Sequence, residues 1–263
     1  MTSSIPARPG FAYNDAEFLD SEEARPLRIM AEYMGPLRSF RNENICDTIV
    51  FFGSARITPD GPLGRFYREA RELSGLITRW AESLPSPAHR YVICSGGGGG
   101  IMEAANRGAT EAGGRTIGLN ISLPHEQRPN PYITRDLSFE FHYFFMRKLW
   151  FAHLARALVV FPGGFGTLDE LMEILTLSQT GKLEQKIPVI LYGQAYWNEV
   201  INFDALVRHG MIAAADLELF KFADDPATAL RLVQEGLNPQ PVPAKPAFAH
   251  SRSERPGRGA AAP

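Results

Sequence analysis

From residue 47 onward, short apolar runs alternate with longer segments of helical periodicity. Thr48, Ile49, Val50, Phe51 and Phe52 form an unbroken apolar run of the kind found in strands buried on both faces. Further strands are predicted at 91–94, 115–120, 138–142, 157–161 and 187–191. Helices are predicted between and after them, at about 62–82, 101–111, 168–180, 197–209 and 226–235, with one more following residue 142. This order implies an α/β fold: a Rossmann-like, doubly wound parallel sheet with helices on both faces. Ligands in such sheets bind beyond the carboxyl ends of the strands. Three of the predicted strand ends carry glycine clusters, at 53–54, 95–100 and 162–167, so the clusters should converge on one edge.

Ahead of this domain, Leu27, Met30, Met34, Leu37 and Phe40 fall on a helical stripe, with Pro26 placed to open the helix. Pro36 is expected to kink or end it. The stripe can face the core or another subunit, and the spacing leaves both open. From about residue 238 the chain carries six prolines and a glycine–arginine run. Such a stretch buries too little apolar surface to offset its ordering entropy and reads as a disordered tail. Residues 1–14 read as similarly loose. The expected organisation is an extension at 1–45, a nucleotide-binding catalytic domain at 46–237 and a tail at 238–263.

With 263 residues and 44% hydrophobic content, the chain is long enough for one large α/β core. A formal net charge of −2 supplies no field for nucleic acid, so no nucleic-acid partner is expected. Cys46 and Cys94 sit in no metal or redox spacing and read as reduced thiols. The six histidines are scattered, and no metal is expected. The start of the chain lacks the apolar region of a signal peptide, and no segment approaches about 20 apolar residues. A cytoplasmic protein with no membrane partner is the expectation.

The chemistry concentrates in Pro162-Gly163-Gly164-Phe165-Gly166-Thr167-Leu168-Asp169-Glu170. A strand that ends in glycines and turns into a helix aims free backbone N–H groups at one spot. The helix dipole adds about half a positive charge there, which suits a phosphate. Glu170 lies about one turn inside that helix. Thr167 and Glu170 also fit a capping box, in which the acid only returns to the helix N-terminus. Glu173 follows on the same face, and two carboxylates exceed what a cap requires. Glu103, at the start of the helix after the first glycine loop, has the same two readings.

Dinucleotide and triphosphate fingerprints both fail. The third glycine of GxGxxG is Glu103 when counted from Gly98 and Asp169 when counted from Gly164. Asn120 replaces the acid that would hold a ribose hydroxyl. Gly181-Lys182 is followed by Leu183, so no Walker A loop is present. The segment 142–154 reads as a helix that is apolar almost all round, yet it carries Arg147 and Lys148. A buried cation needs an anionic partner. For Arg147 that is either a structural carboxylate or a ligand at the glycine loops, and Lys148 can snorkel to the surface.

The loop at 162–170, together with Ser95 to Gly108, Gly53-Ser54-Ala55-Arg56 and Arg147-Lys148, resembles the Lonely Guy family of phosphoribohydrolases. Members are often mislabelled as lysine decarboxylases. The likeness covers most of the chain, roughly 47–235, and one departure is Gly99, where the family usually has proline. The resemblance implies a Rossmann-like fold and hydrolysis of purine nucleoside 5′-monophosphates, such as AMP or a cytokinin riboside monophosphate, to free base and ribose 5-phosphate, with no cofactor. It implies Arg147 and Glu170 as the catalytic pair. Phosphate binding is implied for Ser54, Gly97, Gly98, Gly99, Gly163, Gly164, Gly166 and Thr167. Met102, Glu103, Lys148 and Glu173 complete the expected substrate contacts. A homo-oligomer with sites at the subunit interface is implied as well, and the N-terminal helix is a candidate contact. A base pocket is expected around 124–132.

Two chemical considerations bear on this resemblance. Glycosidic cleavage passes through an oxocarbenium-like state that a carboxylate can stabilise. Pyridoxal phosphate needs a lysine, and of five only Lys148 sits near the expected site. A non-catalytic nucleotide carrier on the same fold is the alternative.

Overall fold

In the computed structural model, which describes residues 10–123, 128–183 and 186–237, one sheet of seven strands organises the chain. The strands are β1 (Thr48–Phe52), β2 (Val92–Ser95), β3 (Thr116–Ile121), β4 (Ser138–Phe141), β5 (Ala155–Val160), β6 (Val189–Tyr192) and β7 (Phe220–Ala223). All pair in parallel, in the order β4-β3-β2-β1-β5-β6-β7. The doubly wound sheet is therefore as expected, with boundaries displaced by one or two residues. β7 is an addition: its four residues alternate Phe220, Lys221, Phe222, Ala223, a pattern too short to separate from the flanking helices. The first nine residues, the tail from 238 and positions 124–127 of the expected base pocket lie outside the described residues. Ala12–Asn14 is a 3-10 turn and α1 (Ala16–Asp20) follows it, so the looseness expected through residue 14 does not extend that far.

Alternate side chains of β1 feed two cores, as a period of two requires. Ile49 and Phe51 meet α3 (Gly64–Glu82), α4 (Ile101–Glu111) and α9 (Pro226–Leu237). Val50 and Phe52 meet α2 (Arg25–Asn42), α5 (Phe144–His153), α6 (Phe165–Gln179) and α7 (Gln194–Val200). The helix expected across 197–209 is two pieces, α7 and α8 (Phe203–Arg208). Asn202 breaks it by accepting from the Ala205 N–H at 2.9 Å, a side-chain cap that starts the second helix.

The chain leaves β1 outward through β2, β3 and β4, then returns to place β5 on the other edge of β1. That reversal opens a crevice above the carboxyl ends of β1 and β5, where ligands bind in this architecture.

Pro36 does not end the N-terminal helix: α2 runs through it to Asn42. A proline inside a helix leaves the carbonyl four residues earlier without its donor. Here that carbonyl belongs to Glu32, and it accepts from the Trp150 indole Nε1 at 3.1 Å. The Glu32 carboxylate in turn accepts from the N–H groups of His142 (2.7 Å) and Tyr143 (3.2 Å), at the start of α5. One residue thus ties the extension to α5 through both its backbone and its side chain. Trp150→Phe should orphan the Glu32 carbonyl and cost about 1–3 kcal/mol, read by denaturant unfolding. The cost should shrink in the Pro36→Ala background, where the new residue supplies the missing backbone N–H. The apolar stripe divides: Leu37 and Phe40 pack inward with Ile29 and Tyr33, whereas Leu27, Met30 and Met34 stay exposed.

Candidate functional site

A cavity of about 690 Å³ occupies the crevice at the switch point. Three loops build its floor, and backbone hydrogen bonds lock them together. The Ser54 N–H after β1 donates to the Pro162 carbonyl after β5 at 3.0 Å. The Ile101 N–H at the start of α4 donates to the Ser54 carbonyl at 3.1 Å. Gly100 allows this close approach: its φ is +64°, and a Cβ there would lie 2.3 Å from the Ser54 oxygen. At Gly163 a Cβ would lie 2.1 Å from the Thr167 Oγ1, so only glycine lets the threonine fold back under the turn. The Tyr196 hydroxyl pins the Gly163 carbonyl at 2.8 Å.

The helix after this turn begins earlier than the capping-box pattern places it. Gly164 is the N-cap and Phe165 the first residue of α6, so Thr167 lies in the first turn and caps nothing with its side chain. The structural reason is the pair of glycines, which lets the chain enter the helix sooner. Glu170 consequently lies in the second turn and points into the cavity, 8% exposed. Among the described residues its carboxylate accepts no hydrogen bond, and the cap reading is overturned. Burial raises its pKa to about 7, against the opposing pull of Lys148 and Arg147.

Arg147 faces Glu170 across the same cavity. Its Nε donates to the Leu119 carbonyl at 2.8 Å, and its guanidinium lies 5.2 Å over the Phe151 ring. Burial lowers its pKa, while Glu170 opposes that shift. The two groups sense each other without closing to an ion pair. A structural-carboxylate partner for Arg147 is therefore excluded among the described residues. A half-buried cation beside a buried acid, under a turn of free N–H donors, can hold an anionic ligand and present one carboxylate to it.

Ser54, Met102, Gly163, Gly164, Gly166 and Thr167 line this cavity together with the pair. Other expected contacts are placed differently. Lys148 is held between Asp169 (2.7 Å) and Glu173 (2.9 Å), outside the cavity wall. Burial works against its charge, yet the two carboxylates outweigh this and raise its pKa. Glu173 is thereby committed to clamping α5 onto α6. Glu103 turns to the opposite side and accepts from the Tyr67 hydroxyl at 2.6 Å. Of the first loop's glycines Gly96 lines the wall, and Gly97, Gly98 and Gly99 do not.

Arg56, Phe144 and Tyr196 also line the cavity without having been singled out as contacts. Arg56 belongs to the Gly53-Ser54-Ala55-Arg56 motif, which is the signal that marks it. Tyr196 lies on α7, far along the chain, and no local pattern marks it.

A family model described as "Possible lysine decarboxylase" matches residues 102–233, half of the chain. A rice (Oryza sativa subsp. japonica) protein named "Probable cytokinin riboside 5′-monophosphate phosphoribohydrolase LOG4" is 30% identical over 147 residues. That match covers 55% of this chain and 62% of the relative. The Arabidopsis thaliana cytokinin riboside 5′-monophosphate phosphoribohydrolase LOG3 is 28% identical over 147 residues, covering 55% of this chain and 65% of its own. The chain thus spans less than two thirds of the length of these relatives. A crystal structure of the structural-genomics target TM1055 shares the fold, with a TM-score of 0.52 and 21% identity over 72% of this chain and 99% of that one. The decarboxylase description does not fit the site: no lysine lines the cavity among the described residues, and Lys148 is spent on two carboxylates. Matched by that family model across half its length and by these phosphoribohydrolases, the chain belongs to the Lonely Guy family.

Proposed function

We propose that the cavity hydrolyses the N-glycosidic bond of nucleoside 5′-monophosphates, releasing the free base and ribose 5-phosphate. The observation that carries this reading is Glu170, a buried carboxylate without a hydrogen-bond partner among the described residues, which faces Arg147 beside an anion-binding turn. The 5′-phosphate sits on the N–H groups that open α6, with the hydroxyls of Ser54 and Thr167 beside it. Gly163, Gly164 and Gly166 let the ligand approach the backbone. This places the ribose over Glu170, one helical turn further in. As the bond from C1′ to the base nitrogen breaks, its electrons leave with the base and positive charge grows on the sugar. Ionised Glu170 stabilises that charge and takes a proton from the water that bonds to C1′. The proton that Glu170 took from the water passes to the departing base, which Arg147 positions and whose negative charge it offsets, and the carboxylate is regenerated.

The names of the relatives make nucleoside monophosphates with cytokinin bases the first substrates to try, with AMP as the unmodified parent. Adenine and ribose 5-phosphate appearing from AMP is the direct test. Nucleotide binding without turnover would instead favour a carrier. Arg147→Lys keeps the charge but loses the planar fork and the bond to Leu119, so kcat/KM should fall about 10²–10³-fold in a steady-state assay. Phe144, Phe145 and Leu149 are exposed on α5 and Phe144 lines the cavity; a second copy of this chain is the expected cover.

A further inference from the structure

Beneath the first glycine loop lies a buried polar network that the catalytic reading does not use. Its centre is Asn130, 7% exposed, in the segment that returns past the loop before β4. The Asn130 N–H donates to the Gly97 carbonyl at 2.8 Å. Its side-chain Nδ2 donates to the carbonyls of Gly97 (3.1 Å) and Gly98 (3.0 Å) and to Asn106 Oδ1 (2.9 Å). Its Oδ1 accepts from the Tyr132 N–H at 3.1 Å, so both ends of the side-chain amide are engaged. Asn106, fully buried on α4, continues the network: its Oδ1 accepts from Ser95 Oγ at 2.7 Å. Its Nδ2 donates to Thr116 Oγ1 and to the Ile117 carbonyl on β3. Ser95 Oγ closes the circuit by accepting from the Gly97 N–H at 3.1 Å.

This arrangement fixes which way the loop's amides face. In a trans peptide the C=O and the following N–H point in opposite directions. Asn130 holds the carbonyls of Gly97 and Gly98 inward, so the N–H groups of Gly98 and Gly99 are turned away from it. Neither donates to a protein acceptor among the described residues. Glycine alone would leave these planes free to rotate, because it carries the largest conformational freedom of any residue. Gly96, one residue earlier, lines the cavity, and a Cβ there would lie 2.6 Å from the Arg147 guanidinium.

We propose that Asn130 is a positioning residue for anion binding: it orients the Gly98 and Gly99 N–H groups toward the phosphate of the ligand. The proposal rests on the mononucleotide reading of the cavity. Gly99 adjoins the cavity wall at Ala55: a Cβ on Gly99 would lie 3.7 Å from the Ala55 carbonyl oxygen.

The test compares Asn130→Ala, Asn130→Asp and Asn130→Ser in a Glu170→Gln background, with calorimetric binding of AMP and competition by adenosine. Asn130→Asp keeps the shape and the bond from Tyr132 but sets an oxygen against the two carbonyls. Asn130→Ser retains one donor and guards against loss of folding in the other two. AMP affinity should fall about tenfold in the alanine and aspartate variants, in line with losing one hydrogen bond to a charged group, and less in the serine variant. Adenosine, which lacks the phosphate, should bind with unchanged affinity. In the Glu170-containing enzyme, KM for AMP should rise while kcat stays within a few-fold. Equal weakening of AMP and adenosine, or unchanged AMP binding in folded variants, would overturn the proposal. Failure of the Glu170→Gln parent to bind AMP at all would instead overturn the reading of the cavity, and this proposal with it.

Discussion

Replacing Glu170 by glutamine is expected to lower kcat for AMP by about 10²–10⁴-fold while leaving nucleotide binding largely intact. The side chain keeps its shape, but it can no longer carry the negative charge that stabilises the sugar or accept a proton from water. The pH dependence carries the same information. Burial holds the Glu170 pKa at about 7, and the reaction requires its ionised form. kcat/KM should therefore rise with pH through about 7 and level off above it. The residual activity of Glu170→Gln should lose that inflection. A wild-type rate that falls through pH 7 would reverse the role, making the protonated acid the active form.

The same substitution should stabilise the protein at alkaline pH. The folded-state pKa of about 7 lies above the ordinary value of 4.5, so the folded state holds this proton more tightly than the unfolded one. Below about pH 4.5 both states are protonated and the group costs nothing. As pH rises toward 7 the unfolded chain ionises first, and stability is lost progressively until the folded state has ionised too. Above 7 the full cost stands at about 3 kcal/mol. Glu170→Gln removes it, so the variant should melt about 5–10 °C higher than the wild type at pH 8 and no higher at pH 4. Equal melting temperatures at both pH values would mean that the carboxyl is better solvated than its 8% exposure implies. A stability cost borne by the carboxylate proposed to do the chemistry would be an exchange of stability for activity.

Much of this site could be read from the chain, and the misses share a physical cause. β1 and β5 announced themselves because strands buried on both faces need uninterrupted apolar runs, and their glycine ends marked the crevice. Arg147 stood out because a cation in an apolar helix demands an explanation. What local pattern could not supply was partnership across the fold. Lys148 and Glu173 have the local pattern of ligand contacts, whereas their 2.9 Å ion pair holds two helices together. Glu103 was ambiguous by position alone, and only Tyr67, thirty-six residues earlier, decides its direction. Pro36 read as a helix breaker because the donor that rescues Glu32 belongs to Trp150 in another helix. Asn130 carried one weak signal, an Asn-Pro pair that marks a turn, and nothing to say that the turn lies under a glycine loop.

The most direct measurement is product analysis after incubating the protein with AMP, GMP, CMP and isopentenylated AMP. Release of ribose 5-phosphate and free base in equal amounts from at least one purine monophosphate, abolished by Glu170→Gln, is the expected result. No ribose 5-phosphate from any of the four, or undiminished release by the glutamine variant, would contradict the assignment of the cavity as a phosphoribohydrolase site.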